Sequence, residues 1–88
     1  SAKDKQPFYD ALENEHAIYF TSKRGWMYEY HPDNGQFSRQ EFTTHSSIKS
    51  VRQLKHDKLF IGTASDGFFI HDLKNKSFRH YNTSFIKG

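Results

Sequence analysis

Six histidines, His16, His31, His45, His56, His71 and His80, are the first residues to weigh for chemistry, because imidazole serves both as metal ligand and as general base. No two of them stand closer than nine residues, so none forms the i,i+2 or i,i+4 pair that puts two ligands on one strand or helix face. A zinc site needs three or four converging donors and an outer layer of hydrogen bonds, and this spacing points to none, so neither metal nor cofactor is expected. Catalysis has no better footing. No Gly-x-Ser-x-Gly turn or phosphate-cradling glycine loop occurs, and the ten carboxylates are scattered, so the chain is not expected to be an enzyme.

Ligand binding has better candidates. Trp26, Tyr28 and Tyr30 alternate on one side of a strand, which suits a sugar ring, although alternation equally predicts a packed aromatic row, with Tyr30 at the strand end left for a ligand. Lys23 and Arg24 are adjacent cations in a turn, suited to carboxylate or sulfate groups. Ser65 and Asp66 occupy the corresponding turn later in the chain. Lys23, Arg24, Tyr30, Ser65 and Asp66 are the candidate ligand contacts.

The elements that must position them follow from a repeat. Shifting the sequence by 42 places sets Leu12 on Leu54, Tyr19 on Ile61, Thr21 on Thr63, Gly25 on Gly67 and Trp26 on Phe68. A single deletion, where Pro32-Asp33-Asn34-Gly35 faces Lys74-Asn75-Lys76, then brings Phe37 onto Phe78. Each repeat reads as four strands split by turn residues: 7–12, 16–21, 25–30 and 36–40, then 48–54, 58–63, 67–72 and 77–81. Thr21 and Thr63 are expected to close the second strand of each unit through local hydroxyl bonds.

Four-stranded antiparallel units of this period are the blades of a β-propeller. The expected fold is therefore all-β: one blade in residues 1–42, behind a tail of six residues, and a second in 43–88, with 82–88 trailing it. Strands apolar on both sides, such as Gly67-Phe68-Phe69-Ile70, fit blades packed on neighbours through both faces.

Composition agrees. Hydrophobic residues make up 34% of the 88, but aromatics are 17%, so the core must rest on rings. There is no cysteine to staple so small a unit. No apolar run approaches the roughly 20 residues of a membrane helix, and direct membrane contact is not expected. Residues 1–42 carry 5 basic and 7 acidic side chains, and residues 43–88 carry 8 and 3. The lysines of the basic half stand singly on strands and turns, so nucleic acid is not an expected partner, and such charges also discourage edge-to-edge aggregation.

The segment Leu59-Phe60-Ile61-Gly62-Thr63-Ala64-Ser65-Asp66-Gly67-Phe68-Phe69-Ile70-His71-Asp72 resembles the two-component regulator propeller repeat, Leu-Trp-Ile-Gly-Thr, a turn, glycine, then an apolar strand ending Tyr-Asp. Ser47-Ile48-Lys49-Ser50-Val51 is similar to that repeat's opening, and Phe78-Arg79-His80-Tyr81 to its close. Phe60 stands in place of the tryptophan, and the first repeat matches less closely. The resemblance implies the periplasmic sensor region of a Bacteroides-type hybrid two-component histidine kinase and response regulator, sensing polysaccharide-derived oligosaccharides to control transcription. The resemblance implies that the kinase belongs to other parts of such a protein. Two alternatives share the fold: a glycan- or protein-binding propeller without a kinase, and a propeller-fold polysaccharide lyase. Two blades fall short of the usual four to eight, so the expected partners are further blades of the same protein or copies of this chain.

Overall fold

The computed structural model describes residues 8–82. It contains eight strands: β1 (Ala11–Glu13), β2 (Ile18–Thr21), β3 (Trp26–His31), β4 (Gln36–Glu41), β5 (Ile48–Lys55), β6 (Lys58–Thr63), β7 (Phe68–Asp72) and β8 (Ser77–Tyr81). They form two antiparallel sheets, β1-β2-β3-β4 and β5-β6-β7-β8, each joined in sequence order. Within each sheet every strand is thus hydrogen-bonded to its chain neighbour across a short turn, the cheapest connection in loop entropy. The strand readings hold to within a residue or two except at the first, which is short and starts at Ala11. Its expected beginning, Pro7, lies outside the described residues, as do the tail before it and most of the trailing segment. No helix among the described residues is long and apolar enough to cross a membrane.

Strand register corrects the repeat. Ile18 pairs with Tyr30 in the first sheet and Leu59 with His71 in the second, so equivalent residues stand 41 apart, not 42. The same offset relates Tyr28↔Arg39 to Phe69↔His80, so the outer hairpin needs no deletion. The 42-residue reading was drawn by the two glycines. Gly25 and Gly67 both have positive φ, but they occupy successive positions of turns that are equal in length. Ser22 N–H donates to Trp26 C=O at 2.9 Å, and Thr63 N–H to Gly67 C=O at 3.0 Å, closing both turns over the same span. In the first turn Arg24 and Gly25 are both left-handed; in the second only Gly67 is. A Cβ on Gly67 would sit 2.0 Å from the Tyr81 carbonyl oxygen, so close backbone approach requires glycine there.

A one-residue slip moves every side chain to the opposite face. The first sheet buries Tyr19, Thr21 and Met27, whereas the second buries Leu59, Ile61 and Phe69, which are equivalent to Ile18, Phe20 and Tyr28. The apolar ones among these side chains meet in one core with Ala17, with Ile48 and Val51 of β5, and with Phe42 of the connection between sheets. Phe42 lies 5.0 Å from the Phe69 ring and 4.8 Å from Phe78, roofing the second sheet at distances typical of favourable aromatic pairs.

Polar clasps fix the inner strands, with β5 lying against β1 and β2. Asp10 accepts at Oδ2 from Val51 N–H (3.1 Å) and from Arg52 Nη1 (2.6 Å), and its backbone carbonyl accepts from Thr21 N–H (2.9 Å). Thr63 Oγ1 donates to Gly67 C=O at 2.7 Å and accepts from Asp66 N–H at 2.8 Å, the local hydroxyl closure expected of it. Thr21 Oγ1 reaches instead toward Asp10 C=O at 3.5 Å, tying β2 to the start of β1.

Candidate functional site

The alternating direction of the strands gives the pair of sheets two ends. At one end lie the β2–β3 and β6–β7 turns, flanking the connection 42–47. Ile48 N–H donates to Ser22 C=O at 2.7 Å and Ala64 N–H to Ser47 C=O at 3.0 Å, so both turns lean on that connection. Lys23, Arg24, Ser65 and Asp66 are therefore brought to one rim.

Their roles there differ. Thr44 Oγ1 donates to Asp66 Oδ2 at 2.6 Å, and His80 Nε2 lies 2.8 Å from the Asp66 carbonyl. Ser65 N–H donates to Ser46 Oγ at 3.0 Å. Ser65 and Asp66 thus latch the second sheet to the connection. Lys23 and Arg24 are exposed, and the Arg24 guanidinium lies 5.9 Å from the Trp26 ring beside a shallow hollow of about 390 Å³ that Phe42 and Thr44 also line.

Tyr30 does not join them. It sits near the far end of β3, on the first sheet's open face, with Phe37 at 6.2 Å. Trp26 and Tyr28 share that face: Arg39 stacks over Trp26 at 4.2 Å, and Tyr28 lies 5.5 Å from Phe37, nearly parallel. The expected aromatic row exists, but Phe37 remains 55% exposed, and among the described residues no sheet packs upon the row.

The opposite end holds the larger space. Between the two sheets runs a groove of about 710 Å³, lined by His16, Tyr19, Glu29, His31, His56 and Lys74 among others. That volume lies in the range of small-molecule sites. Its floor is Tyr19, whose phenol is pushed up to about 12 by burial and by the Glu29 charge, so it stays a neutral hydrogen-bonding group at ordinary pH. On one wall His31 Nε2 and Glu29 Oε2 are 2.7 Å apart. On the other, burial pushes the His71 imidazole below 6.5, although the Ser77 carbonyl at 3.0 Å opposes this. Imidazoles, carboxylates, a phenol and lysine ammonium groups in one cleft can recognise a polyhydroxy or charged ligand through many directed bonds.

Sequence reasoning placed Lys23, Arg24, Ser65 and Asp66 at the rim and Tyr30 at a strand end, and missed this groove. His16 and His56 stand 40 residues apart, a separation at which no local spacing rule operates. The repeat was the signal that could have found them: the 41-residue offset makes Glu15 equivalent to His56 and His16 to Asp57, so both β1–β2-type turns carry ligating side chains at one end. No protein-family model, curated protein or solved structure matches the chain.

Proposed function

We propose that the two sheets are adjoining blades of a β-propeller, and that the chain serves in the periplasmic ligand-sensing region of a hybrid two-component regulator. The observation that carries the first part is the inequivalence of the buried faces. By the 41-residue offset, the face that the first sheet buries is the one the second leaves open, and the converse also holds. Such a contact is heterologous, so it can be repeated by another blade at either open face, and a rotation that closes makes a ring. The residue pattern over Leu59 to Asp72 supports the sensor assignment.

In this reading the blades are scaffold, and ligand recognition falls to the ends of the strands, where turns present polar side chains on a rigid base. Lys23 and Arg24 at one rim suit the acidic group of an oligosaccharide. The partners are further blades, of the same protein or of other copies, and the output is a change in packing between blades that is relayed to a kinase.

Calorimetric titration with a panel of neutral, uronic-acid-containing and sulfated oligosaccharides tests the ligand class. An acidic oligosaccharide should bind saturably, and the double substitution Lys23→Ala, Arg24→Ala should weaken it about tenfold or more, as expected for loss of charge-assisted hydrogen bonds. A chain that melts cooperatively yet binds none of the panel would overturn the sensing role.

A further inference from the structure

We propose that Glu15, His16 and His56 form a binding site for a zinc-class divalent cation that joins the turns of the two sheets. The three side chains offer two imidazole nitrogens and a carboxylate oxygen, all within 4.8 Å of one another. Glu15 Oε2 lies 3.6 Å from His16 Nε2 and 3.4 Å from His56 Nε2. In a tetrahedral zinc site, bonds of about 2.0–2.2 Å put neighbouring donor atoms roughly 3.3–3.6 Å apart, so two edges of the tetrahedron are already formed. The two imidazole rings stand 5.9 Å apart at 64°, each with Nε2 turned to the shared carboxylate.

The backbone beneath is held independently of any ion. Asn14 Oδ1 accepts from His16 N–H (2.8 Å) and Ala17 N–H (3.0 Å), fixing the first turn. Asn14 Nδ2 donates to Gln53 Oε1 at 3.1 Å, which ties that turn to the second sheet, and Gln53 Nε2 donates to the Lys55 carbonyl beside the His56 turn. Two polypeptide turns that carry the ligands are thereby set side by side before metal arrives, which lowers the ordering cost of binding.

Donor chemistry selects the ion. Two imidazoles with one carboxylate suit zinc, nickel or copper, whereas magnesium and calcium prefer all-oxygen sets. Three protein donors leave a fourth position for water, and His16 and His56 also line the large groove, so that water would face the cleft.

Titration of the tag-free 88-residue chain with ZnCl₂ at pH 7.5 decides the matter. One equivalent should bind with micromolar affinity, raise the melting temperature, and shift the imidazole NMR signals of His16 and His56 together; MgCl₂ should do none of these. His56→Ala and Glu15→Gln each should weaken binding about tenfold or more, in proteins whose circular dichroism is unchanged because all three side chains are exposed. Absence of saturable zinc binding at millimolar metal, or binding that survives both substitutions, would overturn the site.

Discussion

The two sheets share strand order, pairing and a 41-residue spacing, and both are rich in aromatic residues, yet equivalent positions meet opposite fates. Phe69 is fully buried, sandwiched between Phe42 at 5.0 Å and His80 at 4.1 Å. Its counterpart Tyr28 lies half-buried on the open side of the first sheet, covered by Phe8 and Phe37. Tyr19 is 1% exposed, while its counterpart Phe60 is half-buried on the second sheet's open side. Residue type decides that a strand forms; which of its faces is dry is decided by the neighbour it packs against. A repeat placed between two others would have both.

The strongest way to break this comparison is to truncate one residue of an equivalent pair at a time. Phe69→Ala should cost about 3–4 kcal/mol, the transfer free energy of a buried ring plus the cavity left behind. In a unit this small such a loss leaves little folded protein. Tyr28→Ala should cost less, about 1–2 kcal/mol, since its ring is only partly buried, beside Phe8 and Phe37. Urea denaturation over a range of protein concentrations measures both. Equal costs, with a concentration-dependent midpoint for the parent chain, would mean that the open face of the first sheet is covered in solution by another copy.

A medium effect tests the clasp between the inner strands. Burial pushes the Asp10 carboxyl up, but hydrogen bonds from Val51 N–H, Arg52 and Ala11 N–H outweigh it and hold the group below its ordinary 3.8. The folded state thus binds the Asp10 proton less readily than the unfolded chain does. The stability this contributes is fully present above about pH 4 and is lost as pH falls through the folded value. Asp10→Asn should remove about 1–2 kcal/mol at pH 7, the range for charge-assisted hydrogen bonds allowing for partial exposure, and should flatten the acid limb of stability below pH 4. An unchanged acid limb in denaturation at several pH values would show that the clasp does not couple the sheets.

Much of this architecture was legible in the chain. Alternating β-rich runs and turn residues gave all eight strands, because side-chain direction and turn chemistry are local properties. The repeat was also visible, but its offset was not, because Gly25 and Gly67, standing 42 apart, are the most distinctive residues the two units share. Their shared left-handed φ serves different positions of two equally long turns, a difference set by hydrogen bonds such as Thr63 Oγ1 to Gly67 C=O that the sequence does not display. That single residue decided the faces: the 42-residue shift put Tyr19 on Ile61, two buried residues, and hid the inequivalence of the dry sides. The rim was legible for the same local reasons as the turns. The groove was not, since Glu29, His56 and Lys74 meet only after both sheets have formed and packed.

The smallest effect concerns the outer turns, where the sheets differ in how they reach the same backbone. Gly35 has φ +75°, and the equivalent Lys76 has φ +56°. For glycine this conformation is free of steric penalty, whereas for lysine the Cβ crowds its own backbone at a cost of roughly 1 kcal/mol. The second turn tolerates this because Asp72 Oδ1 accepts from both Lys74 N–H and Asn75 N–H at 3.0 Å, holding the chain in the bend before Lys76 is reached. In the first turn His31 occupies the position of Asp72, and its backbone carbonyl accepts from Gly35 N–H at 2.8 Å. Lys76→Gly should therefore stabilise the chain by a few tenths of a kcal/mol up to about 1 kcal/mol, the relief of strain being partly offset by the greater freedom of glycine in the unfolded chain. In an Asp72→Asn background, itself less stable because the Lys58 ion pair at 3.0 Å is lost, the same substitution should gain more, because an amide, without a negative charge, accepts the two N–H groups less strongly and leaves the bend leaning on residue 76. An equal gain from Lys76→Gly in both backgrounds, read by thermal denaturation, would mean that the two devices are independent; a larger gain in the Asp72→Asn background would show that the carboxylate supplies what the first turn draws from its glycine.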